Sequence, residues 1–493
     1  MSIDPRTPVL VGIGVVEQRL DDPDQAVEAF QLMAAALELA AEDAGCRELL
    51  EGASSIRVPR GFWQYSDPGR LVADRIGASR ARTTLAELGI LQQTILSDAC
   101  RAIASGEEEI ALVTGGEAKY RELRGRISGV EVGDTVQTNV LPDELLEPKE
   151  PIFADLELER GLVMPVRAFA LMDNALRHAD GIDIETHRDR VAHLWADMSK
   201  IAAENPHAWY RTPISFEEIR DASGRNRMMS FPYTKRHNSD WNVDQAAGLI
   251  ICSVGRARAL GLCEEEWVYP LAATECNHMV PFSARPELHR SPGAAVAGRR
   301  ALALAGTDAD DVEHLDIYSC FPAPVQVFVR ELDLPTDRSL TVTGGMAFAG
   351  GPLNNYVLQA TVRMAEVLRA DPGSKGLVTS ISGYHNKQGF GVWSTRPPPL
   401  GFRYADCTAE VAASPKGAQI ELVGDYSGPV EIVSYTVVYL GESPIEAIAI
   451  CNLPDGRRTI GITREAELMS NMMIQEFCGR SAEVTGDGQL SLR

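Results

Sequence analysis

The sequence predicts an α/β protein built from two related βα halves, with a largely helical insertion between them and a small all-β domain at the end. Three observations carry this. Strand-like runs alternate with amphipathic helices, a helix-plus-strand pattern recurs in the second half, and a proline-rich spacer separates it from a tail of alternating strand patterns.

The first half opens on "TPVLVGIGVV" (7–16), an apolar strand, followed by "DQAVEAFQLMAAALELAAEDAG", whose Val27, Phe30, Met33 and Leu37 predict one apolar helix face ending at Gly45. "SSIRVPR" reads as a second strand. The segment 86–118 then gives a turn, a helix with Leu91, Ile95, Ala99 and Ile103 on one face, and the buried-strand run Ile110 to Val113. Strands separated by helices predict a sheet covered on both faces and largely parallel. The domain reading is 1–118 for this half.

Residues 119–265 read as a loop and insertion domain. They carry charged loops ("ELLEPKEP") and a helix with Val191, Leu194, Trp195, Met198 and Ile201 on one stripe. The βα pattern returns over 266–396, with "EWVYPLAATEC", a helix across 293–305, "HLDIYSC", "LTVTGG", a helix from Asn355 and "GLVTSISG". "ILQQTI" (90–95) is echoed by "VLQATV" (357–362), and each leads, about twenty residues on, to a strand containing Leu-Val-Thr. In "STRPPPLGFR" (394–403) three consecutive prolines can continue neither a helix nor a central strand. Beyond it "AQIELVGDY", "VEIVSYTVVYL", "IEAIAICNL" and "RTIGIT" predict an antiparallel barrel of the oligonucleotide/oligosaccharide type over 401–493, with a short helix around 465–477.

Composition narrows the function classes. A formal net charge of −22 disfavours general affinity for nucleic acid or anionic membranes. No apolar run is long enough to span a bilayer, so no membrane partner is expected. The start "MSIDPRTPVLVGIG" lacks the basic and apolar stretches of a secretory signal, and the nine cysteines form no CxxC pair. Together these predict a cytoplasmic protein with reduced thiols, no bound metal and no resident cofactor.

The two βα halves, the insertion helix "RVAHLWADMSKIAAENPHAWYR" with its Asn-Pro end, the strand "DQAAGLIICSVGRARALG" and the turns "GGMAFAGGPLNN" and "SGYHNKQGFG" resemble the thiolase superfamily. Within it they are most similar to the sterol-carrier-protein (SCP2) thiolase branch. The spacer and β-tail resemble its thiolase-like protein type 1 group. The resemblance implies the five-layered αβαβα thiolase fold, an acyltransferase (acetyl-CoA acetyltransferase) ancestry in lipid metabolism, and an acyl-coenzyme A thioester as substrate or ligand. It also implies a monomer or homodimer, with a possible partner protein on the barrel.

The resemblance also assigns positions, and here the chain departs from the family. The family's nucleophilic cysteine corresponds to Gly89. Cys100 lies about three turns into the following helix, too deep for the helix-end field to help it, and reads as a packed thiol. The Gly-His-Pro turn corresponds to Gly350, Gly351 and Pro352, without its histidine. The second-half His-Asp-Cys-Phe motif appears as "YSCF", with Tyr318 for the histidine and Cys320 retained. In the last loop His385 and Asn386 resemble the branch's His-Asn pair, beside Gly383 and Tyr384. The expected catalytic set is therefore Tyr318, Cys320, Tyr384 and His385. Gly89, Gly350, Gly351, Gly383 and Asn386 are expected to contact substrate.

The leading expectation is an acyl-CoA binder without ordinary thiolase activity, since nucleophile and base are lost together. An alternative is a retro-aldolase or lyase on acyl-CoA thioesters that uses tyrosine as acid and base, and a third reading is a non-catalytic scaffold.

Overall fold

The computed structural model describes residues 3–492, and in it the expected two halves face each other. The first sheet takes β1 (Pro8–Glu17), β2 (Ser55–Pro59), β3 (Arg82–Ala86), β4 (Ile110–Ala118) and β5 (Glu144–Leu146). After the short β6 (Met228–Ser230) and β7 (Tyr233–Thr234), which belong elsewhere, it also takes β8 (Asp244–Ser253). The strand order is β1-β8-β4-β2-β3-β5. The second sheet gathers β9 (Tyr269–Cys276), β10 (His314–Asp316), β11 (Lys375–Ser382), β12 (Lys387–Ser394) and β13 (Arg403–Asp406), in the order β10-β11-β12-β9-β13.

Five layers result. The helix Ala29–Asp43 covers the outside of the first sheet and Pro292–Leu304 the outside of the second, while Gln92–Ser105 and Tyr356–Ala370 lie between the sheets and touch both. The echoed helices are thus the two central ones. They are apolar on several faces because both sheets bury them; Leu91, Ile95, Ala99 and Ile103 are all fully buried.

The sheets are mixed, not largely parallel. β8 runs antiparallel to both β1 and β4, and β11 and β12 form an antiparallel hairpin across the turn 383–386. A turn this short can join only antiparallel neighbours. β8 also shows that the stretch 119–265 is not wholly an insertion, since this fully buried strand sits in the first sheet. "LTVTGG" forms no strand; its backbone turns around Asp316 instead. Val27 precedes the first helix and is exposed.

The tail forms its own barrel from β14 (Gly428–Leu440), β15 (Ser443–Asn452), β16 (Arg458–Thr463), β17 (Ser481–Val484) and β18 (Leu490–Leu492). The order β16-β15-β14-β17-β18 closes where Ile462 pairs with Gln489 and its N–H donates to the Gly488 carbonyl at 2.8 Å. Its core, including Ile432, Tyr435, Val437, Ala449 and Met472, is separate from the main one. β13 still belongs to the second sheet, so the barrel strands begin at Gly428, and "AQIELVGDY" contributes no strand.

Arg458 docks the barrel. Its side chain is 1% exposed and donates from Nη1 to the carbonyls of Ser283 (3.0 Å) and Arg285 (2.5 Å), and from Nε to Asn452 Oδ1 (2.9 Å). Arg458→Met keeps the apolar stem but strands these carbonyls, and is expected to cost about 2 kcal/mol of docking stability. Limited proteolysis should then cleave the linker 413–427 sooner than in the parent; equal cleavage rates would contradict the role.

No helix among the described residues is long and apolar enough to cross a membrane.

Candidate functional site

Gly89 lies between β3 and the central helix Gln92–Ser105, with φ +101°, a conformation that disfavours any side chain. A Cβ built there would stand 3.1 Å from both Cβ and Cγ of Pro148 and 3.6 Å from Cδ1 of Ile152. The same Ile152 covers Gly383, where a Cβ would lie 2.8 Å from Ile152 Cγ2. Gly89 and Gly383 therefore both lie against one loop, 148–152, which takes the place a Cβ would need at either. The Gly89 carbonyl accepts a hydrogen bond from Lys387 Nζ at 2.8 Å. Lys387 is 4% exposed, and burial lowers the pKa of its ammonium.

The turn after Gly383 is tied down by its own polar groups. Asn386 Oδ1 accepts from the Tyr384 N–H (2.6 Å), and Asn386 Nδ2 donates to the Val280 carbonyl (2.7 Å). The Tyr384 hydroxyl donates to the Leu162 carbonyl at 2.8 Å, with its ring against Phe153 and Phe169. Arg285 Nη2 donates to the Tyr384 carbonyl at 2.7 Å. His385 adopts φ +59°. Its ring lies 4.7 Å from that of Phe328, and neither ring nitrogen has a partner.

Tyr318 and Cys320 lie past the end of β10. The Tyr318 N–H donates to Thr379 Oγ1 (2.8 Å), and the ring meets Tyr356 edge-on at 5.7 Å. Burial drives the Tyr318 hydroxyl pKa well above its ordinary value; a hydrogen bond with Gln92, the first residue of the central helix, only partly offsets this. Burial likewise raises Cys320, whose carbonyl accepts from the Ser239 N–H. The Cys100 thiol is buried and pushed up to about 12, as a packed cysteine should be.

Gly350 and Gly351 follow a turn built on one buried carboxylate. Asp316 Oδ2 accepts from Thr341 Oγ1 (2.9 Å), Val342 N (3.1 Å), Thr343 N (3.0 Å) and Thr343 Oγ1 (2.8 Å), and Oδ1 accepts from the Tyr356 hydroxyl (3.1 Å). Asn205, at the Asn-Pro end of the insertion helix Ile184–Glu204, donates to the Thr343 carbonyl at 2.9 Å. At Gly350, φ is +106° and a Cβ would lie 2.1 Å from Gln245 Oε1, so the Gln245 side chain packs where a Cβ would stand. Gln245 Nε2 donates to the Ala349 carbonyl at 3.0 Å.

The structure thus sorts the nine expected residues. Gly89 and Gly383 come together, and Tyr318 reaches the mouth of the same helix through Gln92. Asn386 and Tyr384 have their polar groups engaged by backbone, and His385 lines a cavity that Asn386 also borders. Lys387, Gln245, Asp316 and the covering residues Pro148 and Ile152 were not singled out in the sequence. Only Gln245 left a signal, as the glutamine in the quoted strand "DQAAGLIICSVGRARALG". One group of metal-type ligands exists among the described residues, His178, Glu476 and Cys478, with ligand atoms within 4.8 Å of one another. Arg177 already pairs with Glu476 at 2.6 Å.

No family model matches the chain. A 3-ketoacyl-CoA thiolase of Alcanivorax borkumensis is 25% identical over 142 residues, 28% of this chain and 34% of that protein. An acetyl-CoA acetyltransferase of Methanocaldococcus jannaschii is 21% identical over 264 residues, 53% of this chain and 59% of that protein. The chain therefore matches between a third and three-fifths of the length of these curated relatives. The crystal structure of a monomeric SCP2-thiolase like protein type 1 from Mycobacterium smegmatis superposes with a TM-score of 0.83 at 28% identity, covering 100% of both chains. The Ltp2-ChsH2(DUF35) aldolase (TM-score 0.58, 19% identity, 80% of this chain and 100% of that one) shares the fold. So does the acetyl-CoA acetyltransferase of Syntrophomonas wolfei (TM-score 0.54, 18% identity, 79% and 99%).

Proposed function

From the premise that this chain belongs to the thiolase superfamily, in its SCP2-thiolase-like branch, we propose that it binds acyl-coenzyme A thioesters without forming an acyl-enzyme. The observation that carries this reading is the glycine at 89, where the family places its nucleophile. It has no side chain, its backbone disfavours one, and Pro148 and Ile152 stand in the direction a thiol would take. The absent Gly-His-Pro histidine supports it, since a nucleophile and its base act as a pair. Backbone N–H groups near Gly89 and Gly383 need no side chain to polarise a thioester carbonyl, so Gly89, Gly350, Gly351 and Gly383 remain the residues we assign to ligand contact.

This binding reading is favoured over aldol cleavage. Burial pushes the hydroxyls of both Tyr318 and Tyr384 upward, which leaves little of either as the tyrosinate a base needs, and the Tyr384 hydroxyl is already engaged. We also place the protein in the cytoplasm, in keeping with nine free cysteines.

Calorimetry on the full chain with acetyl-CoA and longer acyl-CoAs is expected to show binding. Intact-mass analysis after incubation is expected to show no acyl adduct. Absence of binding at about millimolar ligand would remove the proposal. A stable acyl group on any cysteine, with matching turnover, would reverse it.

A further inference from the structure

A second cavity lies on the side of the 383–386 turn to which His385 opens, between the Cys276 end of β9, the start of the helix Pro292–Leu304 and the linker around Lys416. It leaves about 60 Å³ for the centres of water-sized molecules and is partly open to solvent; Asn386 borders it, and none of Gly89, Tyr318, Gly350 or Gly351 lines it. Three of its side chains are buried with unused bonding capacity. His385 is 1% exposed, and both its ring nitrogens lack a partner. Gln388 is 2% exposed; its Nε2 donates to the His385 carbonyl at 2.7 Å, but its Oε1 accepts nothing. Arg285 is buried, donates to the Tyr384 carbonyl and lies over the Phe282 ring at 5.4 Å, and among the described residues forms no ion pair with a carboxylate.

Each of these is costly alone. A buried guanidinium with no direct ion pair is costly even with the Glu157 carboxylate nearby, and so is an orphaned amide oxygen or imidazole. Burial pushes the Arg285 pKa down to about 10, and burial with the nearby Arg285 charge holds His385 well below its ordinary value. His385 is therefore neutral, with one N–H to give and one lone pair to receive. Arg285 can take an anion in a direct pair, Gln388 Oε1, packed beside Gly293, can accept from a donor, and His385 can serve a hydroxyl in either sense.

We propose that this cavity binds a small organic oxyanion that also carries a hydroxyl group, with the anionic group on Arg285 and the hydroxyl between His385 and Gln388. A carboxylate and a phosphate ester share this chemistry, because both match the planar guanidinium fork. The rim carries both Lys416 and the exposed carboxylate of Glu287, so the specificity for an anion rests on Arg285. The site is separate from the acyl-CoA reading, so failure of either leaves the other standing.

The test uses the full chain with 15N-labelled histidine, the His385 ring signals being assigned by their loss in His385→Gln. Four probes are titrated: glycolate against acetate, and glycerol 3-phosphate against ethyl phosphate. At least one hydroxylated probe should shift the His385 ring nitrogens and bind about tenfold tighter than its hydroxyl-free counterpart. The winning pair tells whether the anion is a carboxylate or a phosphate. Arg285→Gln should weaken binding about tenfold or more, and Lys416→Ala only about twofold. Should Arg285→Gln fail to fold, Gln388→Leu serves, and is expected to abolish the preference for the hydroxyl. No shift with any probe at roughly 10 mM would overturn the site, as would a Gln388→Leu protein that keeps the preference.

Discussion

Replacing Asp316 with alanine is expected to cost about 4 kcal/mol and to loosen the turn that leads to Gly350. Five donors converge on this carboxylate from Thr341, Val342, Thr343 and Tyr356, and all but the half-buried Val342 are buried. Removing the acceptor leaves hydroxyls and backbone N–H groups without partners in a place water cannot reach, and this desolvation penalty outweighs the modest net value of each bond. The effect should spread. The same turn holds Asn205 at the end of the insertion helix, and it sets the course of the chain to Gly350 and Gly351. Denaturant unfolding checks the stability. Hydrogen exchange should show faster exchange over 341–351 than in the parent, and unchanged protection there would contradict the assignment.

Glu117→Gln should separate from the parent protein as pH rises. Glu117 ends β4 within the first sheet, is 2% exposed, and accepts from the Phe62 N–H at 2.8 Å. Burial pushes its pKa up from 4.5 to about 8, with the Phe62 bond and Lys119 opposing. The folded state therefore keeps a proton that the unfolded chain releases near pH 4.5. Stability contributed by this group is full below that value and is lost progressively as pH climbs to about 8. Glutamine keeps an acceptor for Phe62 and never ionises. The two proteins should be nearly equally stable at about pH 4.5, and the variant should lead by about 4 kcal/mol at pH 8.5. The comparison isolates one residue from the opposing trend of His237, which burial lowers to about 4 and which costs stability as pH falls below its unfolded value. Parallel stability curves for parent and variant would refute the reading.

Much of the architecture was legible before any coordinates. The helices at 29–43, 92–105 and 356–370 follow from apolar periodicity, which is a local property of the chain, and the barrel strands follow from alternation after a spacer that proline makes unmistakable. The absence of a thiol at 89 and of a histidine at 351 is likewise plain in the letters. Other features depend on what lies opposite. β8 looks like one more apolar run until it is seen inserted between β1 and β4. "LTVTGG" has the composition of a strand, yet Asp316 offers its N–H groups a better acceptor than a neighbouring strand does, and the backbone turns.

The candidate site divides in the same way. The chemical groups this protein carries at each position are read directly from its sequence, because side-chain identity is written residue by residue. Only the tertiary structure decided which of them are free to act. Asn386 and Tyr384 spend their polar groups on the carbonyl of Val280, the N–H of Tyr384 and the carbonyl of Leu162. His385, two residues from Gly383, opens instead onto a cavity beside Arg285. The physical reason is that partners in a folded chain are chosen by distance in space. A hydrogen bond such as that from Lys387 to Gly89 joins residues 298 positions apart, and no local pattern records it.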